Sequence, residues 1–195
     1  MTFLNFAICN SQSFINKIVS CAKHNADEKL RFAVGKQISD SNFQFIKSKT
    51  IIEVYNQTKD KLKRLTLDEF EKSEYPATQL WINYKVIDEK LVLTELSFPF
   101  NLNCTTPWSL NDTKEIIEPY LKVLQNKTKV DLEKAIEIAQ ENGLRNINEW
   151  DINYEKGKLI WTIKDQRTKN QWHILKIKAK TGRIISDYYH VIPMD

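Results

Sequence analysis

The stretch that decides the fold is Val130-Asp-Leu-Glu-Lys-Ala-Ile-Glu-Ile-Ala139. Its apolar residues recur at the i, i+3, i+4, i+7 spacing of one helix face. Asp131 stands directly before them, and an aspartate there accepts a hydrogen bond from a free backbone N–H of the first turn. Gly143 follows where helix ends favour a left-handed residue. The stretch therefore predicts an amphipathic helix that must bury one face against another element.

Four segments with strand character follow this helix. The first, Trp150–Tyr154, alternates apolar and polar residues, and a turn at Gly157 leads into a second apolar run. Two further segments, Trp172–Ala179 and Arg183–Val191, are joined by a turn at Gly182. This order predicts an α+β fold built from small helix-plus-antiparallel-sheet modules.

The C-terminal third of the chain resembles the PepSY domain family. The helix above, the hairpin around Gly157 and the segment Lys178-Ala-Lys-Thr-Gly-Arg-Ile-Ile185 are similar to that family's helix motif and lysine-threonine-glycine turn. The resemblance covers about Thr128 to Val191, and it departs from the family at Ala179, where an acidic residue is common. It implies a domain without catalytic residues, in an exported or membrane-anchored protein that serves as a binding module or a peptidase inhibitor.

Asn126-Lys127-Thr128 is the expected domain boundary. It separates an N-terminal α+β region of unknown family, residues 1–126, from the PepSY-like domain, residues 127–195. Within the first region, Trp81–Thr94 parallels Trp150–Thr162 in its tryptophan, its Ile-Asn-Tyr run and its Lys-Leu pair. Two interpretations stay open, a degenerate second copy of the module and a coincidental likeness between two hairpins.

Helix signals in the N-terminal region are clear at several points. Apolar spacing predicts one helix over Ser13–His24 and a second over Ala26–Val34. Thr66-Leu-Asp-Glu69 predicts a capping box, in which each side chain bonds the other residue's backbone N–H. Ser109 should begin a later helix that Pro119 kinks or divides, because proline lacks an N–H and clashes with the preceding turn.

Composition argues against several function classes. The chain of 195 residues has only 4 glycines and 3 histidines, and it contains no phosphate-binding loop, Gly-x-Ser-x-Gly or His-Glu-x-x-His motif. We therefore expect no catalytic residues, no metal site and no cofactor, and a hydrolase that uses Cys104 is the less favoured alternative. The net charge of +4 is too mild to predict nucleic-acid binding. No apolar run reaches the roughly 18 residues of a membrane span.

The cysteines and the N-terminus bear on location. Residues 1–13 are apolar and then polar, which fits either the remnant of an export signal or the first turns of an ordinary helix. If this segment is cleaved, Cys9 is lost and Cys21 and Cys104 remain as a candidate disulfide pair in an oxidising compartment. If it is retained, three reduced thiols in a cytoplasmic protein are expected. The preferred location is extracytoplasmic, periplasmic or secreted.

The strand at Trp172–Ala179 supplies the candidate partner-binding surface. Trp172, Ile174, Lys176 and Lys178 share one of its faces, while the other face should pack against the helix. The lysines alternatively protect the strand from aggregation, and stacking with nucleic acid is the least favoured reading. The function predicted is a non-enzymatic binding or inhibitory protein that acts on a protein or peptide partner. The alternative is a cytoplasmic, immunity-type interaction protein.

Overall fold

The computed structural model describes residues 12–56 and 61–193, and these form two compact units. Unit 1 contains the described part of Met1–Lys85 together with Glu95–Thr113. Unit 2 contains Val86–Thr94 and the described part of Lys114–Asp195. Helices and antiparallel strands occur in both, so the protein has the α+β fold that the sequence predicted. Residues 1–11, with Cys9 and most of the candidate export remnant, lie outside the described residues.

The first seven labelled elements belong to unit 1. They are α1 (Gln12–Val34), α2 (Lys36–Asn42), β1 (Phe43–Phe45), β2 (Ile51–Asn56), β3 (Lys61–Thr66), α3 (Leu67–Glu71) and β4 (Ala77–Asp88), the last of which ends in unit 2. β4 pairs with β5 (Leu91–Asn101), and the strand order is β1-β4-β2-β3. A further helix, α4 (Leu110–Leu124), follows a loop.

One long helix replaces the two helices predicted near the N-terminus. α1 runs without a break from Gln12 to Val34, so the prediction of separate helices over Ser13–His24 and Ala26–Val34 was wrong. Ala22 and Ala26 are both fully buried and lie four residues apart on the same helix face. The apolar face of the helix therefore continues past Asn25, the residue that separated the two predicted segments. The helix ends at Gly35, whose φ of 85° is accessible to glycine at little cost.

The predicted helix signals at Thr66 and Pro119 have different outcomes. Thr66 and Glu69 form the predicted capping box, with the Thr66 N–H donating to Glu69 Oε2 over 2.8 Å. Pro119 does not divide α4, which is a single helix across it. Ile117 and Tyr120 are buried on either side of the proline. Their packing offsets the roughly 3 kcal/mol that an internal proline costs.

Unit 2 is organised around a four-stranded antiparallel sheet. Its strands are β6 (Ile147–Glu155), β7 (Lys158–Thr168), β8 (Gln171–Lys178) and β9 (Ile184–Val191), in the order β6-β7-β8-β9. Each strand pairs with the next, and two of the three turns are those predicted at Gly157 and Gly182. In the first turn, Lys156 and Gly157 have φ values of 50° and 73°. Positive φ at both central residues suits the twist of a two-residue hairpin.

The predicted amphipathic helix covers this sheet. It is α5 (Leu132–Glu141), and Asp131 Oδ1 accepts from the Lys134 N–H over 2.8 Å. The turn at Gly182 lies against it, because a Cβ built there would be 3.4 Å from Ile138 Cδ1. Trp161, fully buried in β7, donates its indole N–H to Val130 O over 2.9 Å. The helix, the Gly182 turn and the sheet thus form one packed module.

Unit 2 also includes segments that precede the boundary expected at Asn126–Thr128. Trp150 Nε1 donates to Val92 O over 3.0 Å. Tyr120 OH donates to Asp151 Oδ1 over 2.7 Å. These bonds attach the tip of the β4–β5 hairpin and the second half of α4 to strand β6. The division between the units therefore does not coincide with the expected boundary, because side chains distant in sequence join the segments.

The two hairpins compared in the sequence share their turn but differ in their surroundings. Glu89 between β4 and β5 and Lys156 between β6 and β7 both have a positive φ, 51° and 50°. β7 continues into β8 as a simple meander, whereas β5 leads into a loop and α4. The likeness is therefore confined to the hairpins themselves.

Candidate functional site

The face of β8 predicted to meet a partner is only partly open. Trp172 and Lys178 are half-buried, but Ile174 is only 7% exposed. Its directly paired neighbours, Lys164 on β7 and Tyr188 on β9, share its face of the sheet and carry long side chains that can cover it. Ile174 is therefore covered in this structure, although the sequence predicted that it would be open to a partner. On this face of the sheet, Ile174 lies between the side chains of Lys164 and Tyr188.

Lys176, the third residue of that predicted surface, is held by an internal ion pair. Its Nζ lies 2.5 Å from Glu155 Oε1, across the sheet. The hydrogen bond to Glu155 raises the pKa of Lys176, so the ammonium stays charged. Lys164 pairs with Glu149 on the same face. Trp172 and Lys178 are therefore the residues of the predicted surface that are half-buried and take part in neither of these ion pairs.

A second surface, not predicted from the sequence, is the open edge of β9. Within residues 12–56 and 61–193, β9 pairs with β8 alone. It exposes large apolar side chains along its length, including Tyr189 at 57% and Val191 at 60%. Ile185, Tyr188 and the following Ile192 are also exposed. The composition of this strand indicates an unprotected edge, because Ile184–Val191 contains no lysine, arginine or proline. These residues usually protect an edge.

The carboxylate of Asp187 on β9 is hydrogen-bonded to a buried histidine. His173, 5% exposed, lies with Nε2 2.6 Å from Asp187 Oδ1. Its ring stacks on Tyr189 with centroids 4.4 Å apart and planes 18° apart. Asp187 and His190 lie three residues apart on β9, and strand alternation places them on opposite faces. The partner of Asp187 is instead on the adjacent strand, and this pair links β8 to β9.

A lysine-rich cavity lies at the end of the sheet where the β6–β7 and β8–β9 turns meet. Its volume is about 590 Å³. We call this cavity the lysine pocket, because its charged lining residues are Lys122, Lys127, Lys158, Lys178 and Lys180. Tyr154 also lines it, with its OH 3.4 Å from Glu118 Oε1. Partial burial, and then the Glu118 carboxylate, raise the pKa of Tyr154, so its hydroxyl remains a neutral hydrogen-bond donor.

Most of these lysines have no internal counter-charge. Lys122 Nζ lies 3.3 Å from Glu118 Oε1. The other four, Lys127, Lys158, Lys178 and Lys180, form no ion pair with any residue that the structure describes. Of this set, Lys178 belongs to the surface predicted from the sequence. The others come from separate segments, and only the fold brings them together.

Cys21 and Cys104 are paired as a disulfide in unit 1. Their Cα atoms are 6.0 Å apart, within the usual range for such a bond, although 83 residues separate them in the sequence. Asn25 Nδ2 donates to Cys104 O over 2.9 Å and helps hold the loop against α1. In this pairing Cys104 has no thiolate, the form in which cysteine is a nucleophile.

The part of the chain that the structure describes has neither a metal cluster nor a helix suited to a membrane. Among the described residues, no three His, Cys, Asp or Glu side chains are grouped so that they could hold a metal ion. No described helix is both long and apolar enough to cross a bilayer.

Comparison with known proteins gives little more. No family model matches the chain, and no curated protein matches it. Among solved structures, a crystal structure of a "putative lipoprotein" from Clostridium difficile 630 is similar over 86% of this chain and 92% of that chain, at 14% identity and a TM-score of 0.32. A likeness at that TM-score carries no argument about this chain.

Proposed function

We propose that this is a non-enzymatic binding or inhibitory protein that holds an extended segment of a protein or peptide partner beside β9. The open, apolar edge of β9 carries the proposal. An extended chain that adds to a sheet edge gains main-chain hydrogen bonds, and side-chain contacts at alternate positions select its sequence. The predicted surface on β8 is replaced in this proposal by the neighbouring strand.

The hydrogen bonds of β9 indicate which backbone groups are available. The Ile192 N–H donates to Asn170 O over 2.8 Å, and Val191 lies opposite Gln171. In an antiparallel pair the residues alternate between bonded and non-bonded positions. The N–H and C=O groups of Asp187, Tyr189 and Val191 should therefore point towards the open side, where a fifth strand would accept and donate.

The expected partner segment is uncharged at its centre and rich in β-branched or aromatic residues. Tyr189 and Val191 expose their side chains on one side of β9, and Tyr188 exposes its ring on the other. Asp187 is already paired with His173, so no unpaired carboxylate stands in the middle of the strand. Apolar residues at alternate positions of the partner would cover this edge.

We further propose that the C-terminal module is related to PepSY domains. The packing of α5 on the sheet and the close approach of Gly182 to Ile138 support this kinship. The order of helix, Gly157 turn and Gly182 turn is the order on which the resemblance rests. An experimental structure with α5 detached from the sheet would contradict it.

An extracytoplasmic location is part of the proposal. The pairing of Cys21 with Cys104 supports it, because disulfides persist mainly in oxidising compartments. Protein isolated from its host and alkylated at once should show no free thiol at either position until it is reduced. Free thiols at both positions would instead favour the cytoplasmic, immunity-type alternative.

Selection from a random peptide display library tests strand addition directly. The full chain is the bait, and nuclear magnetic resonance then maps a selected peptide onto the protein. We expect the largest amide shifts, and new protection from hydrogen exchange, at Asp187, Tyr189 and Val191. Peptides that perturb other surfaces, or a failure to select any peptide, would remove the proposal.

A further inference from the structure

We propose that the lysine pocket binds a small molecule that carries two or more phosphate groups. The inference is independent of strand addition at β9, since the cavity lies at the β6–β7 and β8–β9 turns. The positive charge of the cavity lining is the first observation that supports it. Four ammonium groups that form no ion pair with any described residue line one cavity of about 590 Å³, and no described aspartate or glutamate lines it.

Such a cluster favours a compact anion of high charge. Lysines that face a shared cavity raise its positive potential and concentrate anions there. A monocarboxylate supplies one negative charge and leaves most of the cluster uncompensated. Two linked phosphate groups supply several charges within a few ångströms, which matches ammonium groups that converge from separate segments.

The donor types of the lining are also suited to phosphate oxygens. The charged lining consists of lysine without arginine, and Thr128 and Thr181 add hydroxyl groups, while the hydroxyl of Tyr154 donates to Glu118. Arginine's planar fork suits carboxylate and phosphate alike, and lysine, a compact point charge, is also a common phosphate ligand. Leu159 and the tyrosine ring add apolar contact for an organic part of the ligand.

The backbone that carries two of the lysines is held in place. Ala179, between Lys178 and Lys180, donates its N–H to Leu159 O over 3.0 Å. The carbonyl of Ala179 accepts from the N–H groups of Lys129 and Val130 over 3.1 and 3.0 Å. The β8–β9 turn is therefore fixed to β7 and to the start of α5. A site with a fixed backbone loses less conformational entropy when a ligand binds.

Isothermal titration calorimetry of the full chain with inorganic tripolyphosphate tests the proposal. Sodium acetate and an aspartate-rich peptide serve as other anions at equal ionic strength. The test variant is Lys158→Gln with Lys178→Gln, and the matched control is Lys169→Gln, which removes the same type of charge at the opposite end of the sheet. Circular dichroism and thermal unfolding confirm that each variant is folded.

We expect tripolyphosphate to bind the unaltered chain, and the double variant to bind it at least about tenfold more weakly. Lys169→Gln should remain within about twofold, and added salt should weaken binding through screening. Equal affinity in the double variant, or no binding to the unaltered chain, would overturn the proposal. Tighter binding of the aspartate-rich peptide would also overturn it, in favour of an acidic protein segment.

Discussion

The edge strands of the two sheets, β3 in unit 1 and β9 in unit 2, are opposite in character. Each is an outermost strand of its sheet among the described residues, and each exposes a large apolar side chain to 60%, Leu62 on β3 and Val191 on β9. β3 surrounds Leu62 with Lys61, Lys63 and Arg64, whereas β9 contains no basic residue other than a histidine. Lysine and arginine on an edge discourage strand addition. One edge is therefore protected, and the other is open.

The charges that remain near each edge strengthen this contrast. Arg64 is exposed, lies 3.3 Å from Glu53 and places its guanidinium 5.2 Å from the Trp81 ring centroid. On β9 the single carboxylate, Asp187, is already paired with His173. The same element type thus presents a charged rim in one unit and an apolar one in the other. The two edge strands therefore differ in the charges beside them as well as in their own composition.

The largest expected effect tests whether the two edges belong to units that unfold separately. Replacing Cys21 and Cys104 by serine opens a loop of 83 residues, which should lower the free energy of unfolding of unit 1 by about 4 kcal/mol. Hydrogen exchange should show the loss at the β2–β4 pairing and little change at the β7–β8 pairing. An equal loss in both sheets would show that the two units unfold together as one cooperative unit.

The next effect comes from giving β9 the chemistry of β3. Ile185→Lys combined with Val191→Lys should weaken binding of a selected peptide by about 100-fold, because two charges would be buried against it. Both residues are exposed, so the fold should be retained. Leu62→Lys is the matched control and should leave the affinity unchanged. Peptide affinity that survives both lysines would place the binding surface elsewhere.

The reverse exchange gives β3 the chemistry of β9 and should have a smaller effect. Replacing Lys61, Lys63 and Arg64 by threonine removes the charges that protect this edge. We expect weak, concentration-dependent self-association in sedimentation velocity. Restoring one charge with Leu62→Lys should return the chain to its original state. A variant that sediments as the unaltered protein does at every concentration would show that β3 needs no protection.

The smallest effect concerns the cap that ends β3. Thr66 is the last residue of β3 and the N-cap of α3, and its backbone N–H, followed by its hydroxyl, lowers the pKa of Glu69 below the usual 4.5. A carboxyl with a lowered folded pKa stabilises at pH above its unfolded pKa, and this contribution is lost as pH falls through the folded value. The Glu69 carboxyl should titrate below pH 4.5 in a carbon-detected experiment. A midpoint at or above 4.5 would mean that the cap is open in solution.

Short-range patterns predicted the elements whose causes are local. Asp131 caps α5, Gly157 and Gly182 form the hairpin turns, and Thr66 forms its capping box with Glu69. Each depends on backbone groups within a few residues, so composition and spacing are sufficient. The alternation along β8 was also correct for its inner face, where Leu175 and Ile177 are buried.

The candidate site could be predicted less well from such short-range patterns. Ile174 was expected at the surface, yet its neighbours Lys164 and Tyr188 come from strands on either side. Burial on the outer face depends on which side chains the register places next to it, and one strand's sequence does not contain that information. The apolar edge of β9 was readable as composition, but its position as the outermost strand required the sheet order.

The amino-acid sequence by itself determined the α+β class, the helix that begins after Asp131 and the turns of the C-terminal sheet, because these follow from local backbone preferences and periodicity. The tertiary structure alone decided which lysines share a cavity, which cysteines meet across 83 residues and where one unit passes into the other. Those features join segments far apart along the chain, and their geometry exists only once the sheets and helices have packed.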